Sequence, residues 1–247
     1  MGRATAMILA AGRGERMRPL TDAVPKPLLE VAGKSLVVRQ IEALARAGHR
    51  DIAINAAYLA QRLVDALGDG RAWDVRLHWS IEPEPLETAG GIATARPLLA
   101  DGPVLIVSGD LWTPYDYASL DAHRPHIGVG RGRALHLVMV PNPPYHPEGD
   151  FALDEAPGHG GSGRRLLPHR TRPLPDGTAN LTYGNIGLYD AALFDDFPRG
   201  VKLRFLPLLL DWIGRGWATG EYYSGPWANV GTPDDLAELR AALADPA

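Results

Sequence analysis

The 247-residue chain contains no cysteine. That removes disulfides, thiolate zinc sites and cysteine nucleophiles together. It has no apolar run approaching the ~20 residues that a membrane-spanning helix needs. Met1 to Leu9 shows no secretory apolar segment and no cleavage site, so the expectation is a cytoplasmic protein with no membrane partner. Positive charge is also short: 25 Lys and Arg stand against 29 Asp and Glu, a net charge of −4. A general nucleic-acid binder carries a basic footprint, so no nucleic-acid partner is expected. Internal repeats are absent, and so is a hexapeptide-repeat tail of the kind that forms a left-handed β-helix. What is present is 45% hydrophobic content, enough for a full core and too much for a disordered chain. One domain spanning residues 1–247 is expected, as a monomer or a small homo-oligomer.

Short apolar runs alternate with helical patterns through the first half. Thr5–Ala10 reads as a buried strand and Ser35–Ala47 as a helix stopped by Gly48. Asp51–Asn55 is a strand and Tyr58–Leu67 a helix. Alternating Val75, Leu77, Trp79 and Ile81 give a strand with one wetted face. Gly91–Leu99 reads as a short helix, and Val104–Val107 as a strand that runs into Ser108-Gly109-Asp110. Strands separated by helices predict an α/β fold, a three-layer Rossmann-like sandwich around a mostly parallel sheet. Ligands of such sheets sit beyond the carboxyl ends of the strands, where both the Gly12 loop and Asp110 fall. In the second half, Ala134–Val140, Leu181–Tyr189, Trp217–Tyr223 and Trp227–Val230 read as strands, and Pro141–Arg172 as mostly loop. Helices are expected over Leu203–Ile213, despite Pro207, and over Pro233–Leu243, with Thr232 as N-cap.

The first strand leads into Leu9-Ala10-Ala11-Gly12-Arg13-Gly14-Glu15-Arg16-Met17-Arg18-Pro19-Leu20. Two glycines let backbone N–H groups turn inward as an anion nest. Arg13, Arg16, Arg18, Lys26 and Lys34 gather there in an otherwise acidic chain. Guanidinium forks match phosphate oxygens in pairs, and lysine serves as a point charge. Two phosphate motifs fail: the dinucleotide fingerprint needs glycine where Met17 stands, and a Walker A loop ending in Gly33-Lys34-Ser35 needs it at Leu28. Asp110, a carboxylate at the end of an apolar strand, suits Mg²⁺ or the N-cap of a following segment. His123 and His126 read as loop histidines, since no third zinc ligand follows in pattern.

The loop, followed by Pro25-Lys26-Pro27-Leu28, resembles the signature of sugar-1-phosphate nucleotidylyltransferases. Glu84-Pro85-Leu86-Glu87-Thr88-Ala89-Gly90-Gly91 is similar to the family's base-contacting strand end, and Ser108-Gly109-Asp110-Leu111-Trp112 to its metal motif. Trp227-Ala228-Asn229-Val230-Gly231-Thr232-Pro233 is similar to its closing motif. The resemblance implies a GT-A-like nucleotidyltransferase fold, with a nucleotide-binding part over about residues 1–130 and a sugar-binding part over about 131–247. It implies transfer of a nucleotidyl group from a nucleoside triphosphate to a sugar 1-phosphate. The short length and the motif wording point to the branch that takes UTP and N-acetylmuramate 1-phosphate in peptidoglycan recycling. Alternatives are mannose, glucose or phosphocholine substrates with GTP, dTTP or CTP, or a non-catalytic sensor of nucleotide-sugar.

By the same resemblance, Arg16, Lys26 and Asp110 are the catalytic residues. Ala11, Gly12, Arg13, Gly14, Glu15, Arg16, Lys26, Glu82 and Gly90 bind the nucleotide. Ser108, Gly149, Asp150, Tyr183, Asn185 and Lys202 face the sugar, with Tyr183 and Asn185 equally readable as core or turn residues. Mg²⁺ is the implied cofactor, on Asp110 and Asn229. Asn229 stands where most relatives carry aspartate, so one protein carboxylate is left at the metal. If the sugar carries a lactyl carboxylate, Arg204 or an arginine between Arg164 and Arg172 is expected to receive it.

Overall fold

The computed structural model describes residues 2–157, 163–168 and 179–244. In chain order the elements are β1 (Ala6–Leu9), β2 (Glu30–Val31), β3 (Lys34–Ser35), α1 (Leu36–Arg46), β4 (Asp51–Ala56), α2 (Ala60–Leu67), β5 (Arg76–Ile81), α3 (Glu87–Ala95), β6 (Pro103–Ser108) and β7 (Leu111–Trp112). β8 (Leu135–Val140), β9 (Phe151–Pro157), β10 (Arg164–Pro168), β11 (Ala179–Asp190), α4 (Leu206–Gly214), β12 (Ala218–Tyr222), β13 (Ala228–Asn229) and α5 (Pro233–Ala244) follow. Nine strands form one sheet in the order β5-β4-β1-β6-β11-β8-β12-β10-β9, with β9 also pairing to β11. Residues of β1, β4 and β6 point alternately to two sides. Ile8, Ile54 and Val107 pack with α1 and α2 through Val37, Ile41 and Leu63. Met7, Ala53 and Ile106 pack with α3 and α4 through Ile92, Leu209 and Trp212. The three layers follow from that alternation.

The sheet is mixed rather than mostly parallel. β5, β4, β1 and β6 run parallel, as the βαβ pattern requires. From β6 onward every pairing is antiparallel except β8 with β12. The segment expected to be mostly loop contains β9 and β10, paired to each other with Phe151, Leu153 and Leu166 buried. Its prolines and glycines fall mainly between the strands and masked their short apolar alternation. α3 begins at Glu87, four residues ahead of the Gly91 start read from sequence. Its two glycines are packing positions rather than a boundary. A Cβ at Gly90 would sit 2.3 Å from the Val201 carbonyl, and one at Gly91 would sit 2.6 Å from Asn55 Nδ2. Pro207 lies in the first turn of α4, where a missing N–H costs nothing. Thr232 Oγ1 accepts from Asp235 N–H at 3.2 Å, the N-cap expected for α5.

His123 belongs to a buried network that its sequence context hid. It stacks on His136 at 3.7 Å between ring centroids. Arg133 Nη2 faces both Nδ1 atoms, at 3.1 and 3.3 Å, while Glu221 Oε2 faces both Nε2 atoms, at 3.2 and 3.4 Å. A guanidinium at the Nδ1 side makes each ring an acceptor there and a donor to Glu221. That is a satisfied hydrogen-bond network rather than a metal-ligand set.

Burial lowers His136 to about 4 against an ordinary 6.5, and burial with the adjacent Arg124 guanidinium does the same to His49. The unfolded chain therefore takes up these two protons near pH 6.5 while the folded protein does not until about pH 4. Stability contributed by the neutral rings is complete above the unfolded value and falls as pH drops through that window, by about 2 kcal/mol per ring at pH 5. Thermal unfolding followed from pH 7.5 to 5 should show Tm falling steadily; a flat Tm would contradict the neutral assignment.

Candidate active site

The carboxyl ends of β1, β4 and β6 open onto one edge of the sheet, and two adjoining cavities lie there. One, of about 360 Å³, is lined by Ala11, Gly12, Asn55, Leu86, Glu87 and Asp110 among others. The second, of about 440 Å³, includes Tyr145, Asp150, Tyr183, Asn185, Phe205 and Asn229. Leu9, Thr88 and Ser108 line both, so ligands in the two cavities would meet across them.

The loop after β1 is pinned from below. Ala10 N–H donates to Asn55 Oδ1 at 2.9 Å, and Asn55 Nδ2 donates to Glu82 Oε1 at 2.7 Å. Glu82 is 2% exposed, and its second oxygen accepts the Leu86 N–H. Burial raises its carboxyl above the ordinary range, opposed by these two hydrogen bonds. Glu82 therefore stands behind the first cavity and braces Asn55. Gly14 is left-handed, with φ +63°. Its carbonyl receives Thr21 Oγ1 at 2.8 Å. Gly12 lines the cavity, and Arg13, Glu15 and Arg16 beyond it in the loop are exposed. Gly90 donates its N–H to Leu203, on the far side of α3's start.

Asp110 follows Gly109, whose N–H donates to the Leu9 carbonyl at 2.9 Å. This close approach of two strand ends leaves little room for a side chain at 109, where a Cβ would lie 3.1 Å from Leu9 O. Pro25 and Pro27 flank Lys26 in a single 3₁₀ turn that aims it back over the strand ends. Its Nζ donates to Asp110 Oδ2 at 2.5 Å, with 12% and 24% of the two side chains exposed. β13 pairs with β7, placing Asn229 opposite Leu111, and Val230 N–H donates to the Asp110 carbonyl at 3.1 Å. Residues 84 and 119 positions apart in sequence thus reach one point.

The donor set there fits a hard divalent cation. Asn229 hydrogen-bonds the Tyr145 hydroxyl, and its buried Oδ1 has no partner. An unpartnered amide oxygen and a carboxylate, on backbones joined through Val230 N–H and the Asp110 carbonyl, are oxygen ligands of the type Mg²⁺ takes.

In the second cavity Asn185 has φ +55°, within a register shift of β11 between Tyr183 and Gly187. The kink turns this residue out of the ladder and into the cavity wall. Tyr183 lines the cavity while its hydroxyl pairs with Tyr189 at 2.7 Å. Asp150 accepts the Tyr183 N–H at 2.8 Å. Gly149 is left-handed, and a Cβ there would lie 2.8 Å from Leu181 O, so it docks the preceding turn onto β11. Lys202 forms an exposed ion pair with Glu84 at 2.6 Å and does not line the cavity. Asn55, Thr88, Tyr145 and His146 were not singled out from the sequence. Asn55 ends a strand as Asp110 does, and that position was a usable signal. Tyr145 and His146 lie in a proline-rich turn with no periodicity to mark them.

The nucleotidyl transferase family model matches residues 5–141. An N-acetylmuramate alpha-1-phosphate uridylyltransferase from Neisseria meningitidis is 42% identical over 237 residues, 96% of each chain. A mannose-1-phosphate guanyltransferase from Schizosaccharomyces pombe is 41% identical over 129 residues, 51% of this chain and 36% of its own length. Among solved structures, a putative glucose-1-phosphate thymidylyltransferase from Bacillus anthracis aligns over 98% of this chain and 96% of its own, with TM-score 0.78 and 18% identity. HddC from Yersinia pseudotuberculosis, complexed with GMP-PN, aligns over 96% of this chain and 98% of its own, with TM-score 0.67 and 19% identity.

Proposed function

The chain belongs to the nucleotidyl transferase family, and we propose that within it this enzyme joins N-acetylmuramate 1-phosphate to UTP, giving UDP-N-acetylmuramate and pyrophosphate. The near-full-length likeness to the Neisseria uridylyltransferase, at 42% identity, carries this reading, since the likeness to a mannose-1-phosphate guanyltransferase either spans only about half of the chain or, over 93% of it, falls to 28% identity. The nucleotide occupies the cavity beside Ala11, Gly12 and Asp110, and the sugar the one beside Asp150 and Asn185. The division into a nucleotide-binding part over about 1–130 and a sugar-binding part beyond it follows. The reading places the enzyme in the cytoplasm, in recycling of cell-wall sugar.

The sugar phosphate oxygen attacks the α-phosphorus of UTP. A new P–O bond forms as the bond to the β-phosphate breaks, and its electron pair leaves with pyrophosphate. The attacking phosphate has a second pKa of about 6, so it enters ionised and needs no general base. Catalysis then rests on alignment and on charge. Lys26 faces the α-phosphate and Arg16 the departing pyrophosphate, where charge grows during the transfer. Asp110 and Asn229 would hold Mg²⁺, which would supply positive charge to offset that of the phosphates. Ser108, at the shared wall, aligns the two substrates.

Asn229 brings no negative charge, so metal affinity without nucleotide is expected to be weak. Asn229→Asp should tighten Mg²⁺ binding to the free enzyme, measured by calorimetry, and lower the Mg²⁺ needed for half-maximal rate while keeping turnover. Identical metal dependence in the two proteins would place Asn229 outside the coordination sphere. The function itself is tested by identifying the product: UTP and N-acetylmuramate 1-phosphate should yield UDP-N-acetylmuramate and pyrophosphate in equal amounts. No product from this pair would overturn it.

A further inference from the structure

Among the described residues lining the 440 Å³ cavity, Asp150 is the one carboxylate and His146 the one basic side chain; no lysine or arginine lines it. Much of the remaining wall is apolar or aromatic, from Leu9, Ile106, Phe205, Leu206 and Leu209. Asp150 is committed within the protein. Its Oδ2 accepts the Tyr183 N–H at 2.8 Å, and its Oδ1 lies 3.1 Å from His146 Nε2. The turn carrying His146 is closed at both ends: His146 N–H donates to Pro143 O at 2.9 Å and Gly149 N–H to His146 O at 3.2 Å. The imidazole is thus mounted on a fixed turn, gripped by a carboxylate at one nitrogen and 35% exposed toward the cavity. Its Nδ1 has no partner among the described residues.

The arginines expected from sequence to meet a carboxylate, and Lys202, expected to face the sugar, do not line this cavity among the described residues. Arg164 donates to the Leu153 and Asp154 carbonyls, and Arg165 to the Asp154 carboxylate. Lys202 is paired with Glu84, and Arg204 is exposed outside the cavity lining. Arg170 and Arg172 lie outside the described residues.

We infer that His146, oriented by Asp150, is the specificity residue that receives the carboxylate of an acid-substituted sugar 1-phosphate. This rests on the uridylyltransferase reading and names the contact that selects the sugar within it. A carboxylate entering this cavity loses water and meets the Asp150 charge, and both costs require a cation. The imidazolium gives Nε2–H to Asp150 and Nδ1–H to the ligand, so one ring both neutralises Asp150 and binds the acid. An unsubstituted sugar 1-phosphate gains nothing from that second N–H.

The test compares kcat/KM for N-acetylmuramate 1-phosphate and for N-acetylglucosamine 1-phosphate, which lacks the acid, in wild type, His146→Gln and Arg204→Gln. Calorimetric Kd values for UDP-N-acetylmuramate and UDP-N-acetylglucosamine are measured in parallel. His146→Gln is expected to reduce the acid-to-neutral ratio by roughly 10–100-fold in both measurements, the worth of one charge-assisted hydrogen bond. Arg204→Gln should keep the wild-type ratio. If His146→Gln loses its thermal transition, His146→Asn carries the same expectation, because it too removes the ring and brings no charge. Equal losses for both sugars, an unmoved ratio, or collapse of the ratio in Arg204→Gln would each overturn the inference. A wild type that prefers the acid sugar and keeps that preference in His146→Gln sinks the inference alone. A wild type that does not use the acid sugar sinks the parent reading with it.

Discussion

Lys26→Ala is expected to lower kcat/KM by roughly 10²–10³-fold, as removal of one preorganised charge contact does. In the free protein the Lys26 ammonium neutralises Asp110 at 2.5 Å. In the proposed reaction it faces the α-phosphate. Folding should change little, because the Asp110 side chain is 24% exposed and water can take over the carboxylate. The measurement pairs steady-state rates with Tm. Near-full turnover in Lys26→Ala would remove this residue from the mechanism, and a large Tm loss would make its role structural.

Asp110→Ala should cost more. It removes the only carboxylate of the described residues lining the 360 Å³ cavity other than Glu87, and with it the cation site proposed for Asp110 and Asn229. Loss of metal-assisted charge stabilisation is worth several kcal/mol, a rate loss of about 10³-fold or more. The double variant Lys26→Ala, Asp110→Ala should be no slower than Asp110→Ala by the full Lys26 factor, since the two groups act on the same phosphates and on each other. Strict additivity in the cycle would mean that the ion pair in the free protein has no counterpart in catalysis.

What was legible in the sequence follows physical rules that act locally. The β1 loop, Lys26 and Asp110 were readable because glycines, prolines and charges at strand ends have few other uses. Elements with simple periodicity, such as α1 with Val37, Ile41 and Leu44 on one face, were placed within a residue or two. The misreadings came from residues serving distant partners. Gly90 and Gly91 looked like a helix boundary, yet their small size is set by Val201 and Asn55 across the fold. β9 and β10 were hidden because a short strand's stability lies in its neighbours rather than in its own composition. The Arg133, His123, His136 and Glu221 network joins residues up to 98 positions apart, and no local pattern announces it. His146 was invisible for the same reason: its meaning comes from Asp150 and from the cavity it faces.

A one-pot competition tests the central claim most directly. Equal concentrations of UTP, GTP, CTP and dTTP, with N-acetylmuramate, N-acetylglucosamine, glucose and mannose 1-phosphates, are incubated with the protein and Mg²⁺, and the nucleotide-sugars are resolved by mass. The expected result is UDP-N-acetylmuramate as the dominant product, dependent on Lys26 and Asp110. A dominant product bearing another base or another sugar, or no nucleotide-sugar at all, would contradict it.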